Sequence, residues 1–204
     1  MALTPPNKKW NKPLGKDERI WALLIVLSIV MMSALTLGWV VGGKQNPPEK
    51  FDKMTPAEYR TRMRNGNTAA NEVSLTTIVV GANTYNAVSR TTEGDIYMMA
   101  GAGGSGGATR LGVWEWRVES GDNASWTGRG LKLKQNVKYT LHLSSFDILH
   151  GFEILDLQIM IQVVPGYDYR VDFIPTTLGV HGIICNEFCG SGHHQMVGFI
   201  EVVA

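Results

Sequence analysis

Cys185-Asn-Glu-Phe-Cys189-Gly-Ser-Gly-His193-His-Gln-Met196 is the stretch on which the reading of this chain turns. It holds both cysteines of the protein, followed within seven positions by two histidines and a methionine. Thiolate, imidazole and thioether form a soft donor set that suits copper. A mononuclear blue-copper site needs one Cys, two His and a weak axial Met. Here a second cysteine stands four residues after the first, so two thiolates on one tight loop can each bridge a pair of metals. A disulfide is the alternative, but closing so short a loop adds little stability. The neighbouring His and Met favour metal over a disulfide or inert thiols. A further imidazole has to come from elsewhere, and Ser144-Ser-Phe-Asp147-Ile-Leu-His150-Gly-Phe offers one.

The two segments read C-x-E-x-C-G-x-x-H-x-x-M and S-x-D-x-x-H-x-F. Together they resemble the dinuclear copper A domain of cytochrome c oxidase subunit II. Val164-Pro165-Gly166 and Leu178-Gly179-Val180, lying between them, fit that domain as well. The resemblance runs from about Tyr97 to Ala204 and is strongest to the short, single-helix subunits of the B-type haem-copper oxidases. It implies ligands position by position: His150 and His193 through imidazole, Cys185 and Cys189 as bridging thiolates, Met196 through its thioether and Glu187 through its backbone carbonyl. In longer family members the matching Glu side chain also binds magnesium, whereas the short members generally lack that site.

Outside this loop the chain is ordinary in composition. A net charge of +1 gives no sign of nucleic-acid binding. Residues 1–19 are polar, with Lys8, Lys9, Lys12, Lys16 and Arg19 and early prolines, and read as a cytoplasmic tail. Ile20 to Val41 is uncharged and apolar. As a helix it would run roughly 33 Å, enough to cross a membrane, so 20–43 is the expected transmembrane helix. Trp21 and Trp39 near its ends suit the interfaces. A signal peptide would have a shorter apolar core and an A-x-A-like cleavage site, which is not found. Basic residues flank both ends, so charge barely orients the helix. The resemblance implies an inner amino terminus and a copper domain on the outer, periplasmic or extracytoplasmic, face.

Residues 44–72 read as a linker with one short helix. Thr55-Pro-Ala-Glu58 is a capping-box signature, and Asn65-Gly66 should stop the helix. Tyr59 and Met63 share a face and are expected against the membrane or a partner subunit. Arg60, Arg62 and Arg64 are expected to face solvent or headgroups. From Val73 the signals are short strands and frequent turns: 73–80, 84–90, 96–100, 111–119, two around 131–143, then 159–164, 167–174, 181–185 and 197–203. Glycines from 101 to 107 form a loop, since no G-K-[ST] follows to make a phosphate cradle. Residues 73–204 are therefore expected to form an all-β sandwich with the metal loops at one end. The resemblance implies a cupredoxin-like Greek key, preceded by one transmembrane helix.

Other candidates carry simpler readings. His194 sits beside His193, and the C-G-x-x-H spacing selects His193. His142 reads as a structural or exposed strand residue. His181 is expected to hydrogen-bond near the site without being a ligand. Asp147 should anchor its loop through backbone amides, and Met160 reads as packing. Trp114 and Trp116 share a strand face, and the resemblance implies a part in electron intake. No Ser/His/Asp or paired-carboxylate pattern suggests bond-making chemistry.

The function implied is that of subunit II of a haem-copper terminal oxidase. A copper pair would accept electrons from cytochrome c or a similar donor and pass them to the haem of subunit I, where oxygen is reduced and protons are moved. Sharing one electron over two coppers keeps each bond-length change small. A copper A subunit of a nitric oxide reductase and a membrane-anchored copper carrier are the alternatives. Nitrous oxide reductase fits less well, because its loop usually has Trp where Glu187 stands.

Overall fold

The computed structural model of the protein describes residues 15–42, 50–102 and 114–204. It divides into two units, 1–44 and 45–204. Within the first, helix α1 spans Lys16–Gly42. It begins earlier than the apolar run because Lys16 to Arg19 continue the helix, and Glu18 accepts a 2.7 Å hydrogen bond from the Gly15 N–H. The stretch Lys16–Gly38 is long and apolar enough to cross a membrane. Ser28 and Thr36 turn their hydroxyls back onto the carbonyls of Leu24 and Met32, which satisfies both on the apolar surface.

The second unit is a two-sheet sandwich. Its strands are β1 (Lys50–Lys53), β2 (Ser74–Val80), β3 (Asn83–Arg90), β4 (Gly94–Ala102), β5 (Trp114–Ser120), β6 (Asn123–Gly128) and β7 (Gly130–Lys134), then β8 (Tyr139–Ser145), β9 (His150–Ile154), β10 (Ile159–Val163), β11 (Tyr167–Phe173), β12 (Gly179–Cys185) and β13 (Val197–Val203). One sheet runs β1-β11-β8-β4-β5-β6 and the other β10-β9-β12-β13-β7-β3-β2. Antiparallel neighbours are interrupted by the parallel pairs β4–β8, β7–β13 and β3–β7, where the chain crosses between sheets. This is a cupredoxin-like β-sandwich. Alternation supplies the inner faces: Leu131, Leu133, Tyr139, Leu141 and Leu143 are buried in one core with Trp116, Phe152, Ile183 and Ile200. Asn136 takes a positive φ of 60° at the turn between β7 and β8.

Three strands were not expected from the sequence: β1, β6 and β9. Each is short or begins in a polar segment, and each is held by a longer neighbour. Strand β1 lies within the expected linker and pairs along β11 from Lys50↔Arg170 to Lys53↔Tyr167. Gly101 and Ala102, expected to open the Gly-rich loop, instead end β4, paired with Glu115 and Trp114 of β5. The rest of that loop and the start of the 111–119 strand fall at 103–113, outside the described residues.

Helix α2 (Pro56–Gly66) has the expected capping box. The Glu58 N–H donates to Thr55 Oγ1, and Thr55 N–H donates back to Glu58 Oε2 at 2.8 Å. Its packing corrects the expectation. Tyr59 and Met63 are fully buried against Met99 and Tyr97 of the same domain, not held for a membrane or partner. The Tyr59 hydroxyl donates to the Met98 carbonyl at 2.9 Å. The three arginines are likewise paired rather than turned to headgroups. Arg60 and Arg64 bind Glu119 at 2.9 and 2.6 Å, and Arg62 binds Asp168 at 2.9 Å. Glu119 and Asp168 are buried polar residues that no hydrophobic pattern could announce. Gly66 closes the helix against the Tyr97 ring, where a Cβ would sit 2.2 Å from Cε2.

Candidate metal centre

The sheet containing β9, β12 and β13 builds the site. Strands β12 and β13 are antiparallel neighbours, so the 186–196 segment is the connection at one end of that pair. Strand β9 lies on the other side of β12 and pairs Phe152 with Cys185. Cys185 is the last residue of β12, and His150 is the first residue of β9. His150 therefore belongs to a strand, not to the loop expected for it. It points to the same side as Phe152, two residues on. Both side chains are buried.

The donor atoms converge. One ligand atom each from His150, Cys185 and Cys189 lies within 4.8 Å of the others. The two sulfurs are 3.7 Å apart, far beyond a disulfide bond, and both thiols are free. His150 Nδ1 is 3.9 Å from Cys185 Sγ, and His193 Nδ1 is 3.5 Å from Cys189 Sγ. Met196 Sδ lies 4.0 Å from Cys189 Sγ and is buried. The Glu187 carbonyl oxygen is 3.2 Å from Cys185 Sγ, with its main chain turned inward as expected. His194 is exposed. All six proposed ligands are thus brought together, and the donor set fits a soft metal such as copper.

The electrostatics suit a cation. Burial pushes the Cys185 thiol up, but hydrogen bonds from the His150 imidazole and the Gly151 N–H outweigh it and bring it down to about 6. Cys189 is pushed up to about 12, by burial and then by the charge of Cys185. The pair gives up one proton easily and holds the second, because two adjacent thiolates need positive charge between them. The His150 imidazole is raised above its ordinary value. Burial opposes this, and the hydrogen bonds to Asp147 and Cys185 prevail. Asp147 Oδ1 lies 2.9 Å from His150 Nε2 and also accepts the Ile148 N–H at 2.8 Å. Asp147 therefore does more than anchor its loop: it orients the ring so that Nδ1 faces the sulfurs.

Several other expectations change. Trp116 is fully buried, with its ring edge-on to His150 at 6.5 Å and to Phe152 at 4.9 Å. It cannot itself touch a docked donor. Trp114 belongs to β5, and its side chain lies outside the described residues. His181 does not hydrogen-bond near the site. Its Nδ1 is 3.2 Å from Asp156 and its Nε2 2.9 Å from the Thr177 carbonyl. His142 is buried, 2.9 Å from Asp168 and stacked on Tyr97. Met160 is exposed rather than packed, on the outer side of an edge strand.

Two residues near the centre went unnoticed in the sequence. Gly151 sends its N–H toward Cys185 Sγ at 3.5 Å and accepts the Asn186 N–H at 3.2 Å. Gln162 Nε2 donates to the Glu187 carboxylate at 2.6 Å. The glycine directly after His150 was a usable signal. An exposed glutamine on an edge strand gives none.

Fold and site together define the class: a cupredoxin-like sandwich with a buried cluster of soft donors at one end. Comparison with known proteins agrees. Residues 127–203 match the family described as cytochrome c oxidase subunit II, periplasmic domain. A cytochrome c oxidase subunit 2 of Thermus thermophilus is 33% identical over 72 residues, spanning 35% of this chain and 53% of that one. One from Paramecium tetraurelia is 36% identical over 70 residues, 34% of each chain. The chain thus matches about half or less of these relatives' lengths. A cryo-EM structure of a heme-copper terminal oxidase dimer aligns over 93% of this chain and 100% of its own, at 16% identity and a TM-score of 0.49. The chain resembles cytochrome c oxidase subunit II.

Proposed function

We propose that this chain is subunit II of a haem-copper terminal oxidase, anchored by α1 with its amino terminus inside and the sandwich on the outer face. The observation that carries the reading is the convergence of Cys185, Cys189 and His150 within one buried cluster, in the segment matched by the subunit II family. His150, Cys185, Cys189, His193, Met196 and the Glu187 carbonyl would hold two coppers. When bound, the pair supplies a one-electron carrier between a cytochrome c or similar donor and the haem of subunit I, where oxygen is reduced to water.

The chain's own residues contribute position and dryness. Strand pairing fixes Cys185 and His150 in register. Trp116 lies edge-on to the imidazole and is backed by Phe152, which keeps water away from that side. Asp147 holds the ring. Phe188 is 82% exposed, and Phe146, Ile148 and Leu149 are also exposed on the ligand segments. These apolar side chains offer a partner protein a dry contact over the metal ligands.

The test is copper content and the electron paramagnetic resonance spectrum of the purified chain. Two coppers with splitting from two equivalent nuclei are expected. One copper with single-nucleus splitting makes the chain a mononuclear carrier and overturns the reading.

A further inference from the structure

The cysteine loop is shaped by a contact made on its outer side. Glu187 stands midway between the two cysteines. Its carbonyl faces Cys185 Sγ at 3.2 Å, while its carboxylate accepts the Gln162 amide at 2.6 Å. Gln162 belongs to β10, and its register partner on β9 is Gly151. Gly151 lies directly under the path of the Glu187 side chain: a Cβ there would be 2.9 Å from Glu187 Cγ and 1.7 Å from Asn186 Oδ1. Glu187 thus crosses β9 over the one residue without a side chain and is tied down on the next strand.

We propose that Gln162, reached across Gly151, is the positioning residue that turns the Glu187 carbonyl toward the two sulfurs. Planar peptide bonds leave φ and ψ as the soft backbone torsions. The Asn186 N–H bonded to the Gly151 carbonyl at 3.2 Å holds the main chain just before Glu187, and the Gln162 amide holds its side chain, so the two restraints together narrow the torsions that swing the Glu187 carbonyl. The acceptor is a carboxylate, so the bond is charge-assisted and stronger than a neutral pair. The β9–β10 pairing holds Gln162 in reach, with Ile161↔Phe152 and Val163↔His150 on either side. The significance of the carbonyl as a ligand rests on the copper reading, but the restraint on the loop does not.

The experiment uses the full chain in detergent with Gln162→Ala, Gln162→Glu and Gln162→Lys. Gln162 is exposed on an edge strand, so these variants leave the core untouched. In metal-free protein, alkylation of the buried thiols reports opening of the loop. Gln162→Ala should raise its rate roughly three- to tenfold, because water at this exposed site screens the charge-assisted bond to the span of a typical net hydrogen bond. Gln162→Glu, with two facing carboxylates, should raise it further, and Gln162→Lys should restore it by pairing with Glu187. After copper loading, the alanine and glutamate variants should shift the absorption spectrum and reduction potential, with copper content retained and lysine again restoring both. Wild-type alkylation rates, spectrum and potential in Gln162→Ala and Gln162→Glu would overturn the proposal. Failure of the unaltered chain to take up copper would instead strike the copper reading, and the alkylation rates would still decide the clamp.

Discussion

Two buried polar clusters occupy this sandwich, and they differ in how their charges are met. Beside α2, Glu119 is enclosed by Arg60, Arg64 and Arg117, at 2.9, 2.6 and 3.2 Å. Asp168 is enclosed by Arg62 and His142. Every acid there has a basic partner from the protein. At the sulfur end, two thiols, two imidazoles and a thioether converge, and the carboxylate of Asp147 holds a ring and its own loop. The α2 cluster is electrostatically complete and fastens a helix to a sheet. The sulfur cluster collects soft donors, and the groups that face its thiols are imidazoles, with His150 raised above its ordinary value. Such a donor set suits a soft metal, which is the ground for proposing a metal centre here rather than a structural staple.

The comparison can be broken most decisively at the sulfur end. Cys189→Ser should abolish the proposed two-copper centre, leaving at most one bound copper and no two-nucleus splitting. A variant that keeps both coppers and their spectrum would show that the second thiol is structural after all.

Next in size is the α2 cluster. Glu119→Gln leaves three guanidinium groups around a neutral amide. It should cost roughly 2–3 kcal/mol in denaturant unfolding, less than a fully buried pair because the arginines are partly exposed. The copper spectrum should stay unchanged, which separates the two clusters. The same variant has a pH signature. Burial would raise the Glu119 carboxyl, but the hydrogen bonds and charges of Arg60, Arg64 and Arg117 hold it below its ordinary value. Its contribution is therefore present above the unfolded value of about 4.3 and lost as pH falls through the lower folded one. Stability should fall less steeply below about pH 4 in Glu119→Gln than in the parent. Equal acid slopes would remove Glu119 from the account.

A smaller effect tests whether α2 is docked as described. Tyr59→Phe deletes the hydroxyl bonded to the Met98 carbonyl in a fully buried site. It should cost about 1 kcal/mol in unfolding free energy, with no change in copper uptake. No loss at all would place that face of α2 in water. Met196→Leu nearly conserves volume and should cost no more than about 1.5 kcal/mol in stability. Copper content should hold while absorption and reduction potential shift, because the thioether is gone. An unshifted spectrum would reduce Met196 to packing.

Much of the metal centre was legible in the sequence, for a local reason. Four of its side-chain donors sit within twelve residues, and soft ligands at such spacing have few other uses. The α2 cluster was not legible. Arg60 and Glu119 are 59 positions apart and Arg62 and Asp168 are 106 apart. On a short helix, alternating arginines look the same whether they face water or a buried acid. Trp116 shows a related limit: strand period says which residues share a face, but not which face is covered, and only the structure shows this ring buried.

By itself the sequence determined the apolar span of α1, the capping box of α2, the alternating strands from 73 onward and which residues are proposed as metal ligands. These follow from periodicity and short-range chemistry, which the chain carries locally. The tertiary structure decided that β1 joins the sheet, that α2 is fastened to the sandwich, that His150 begins a strand and that Glu187 is tied to Gln162 across Gly151. Each of these joins residues distant in sequence, and which of them meet is settled only when register and sheet order bring the strands side by side.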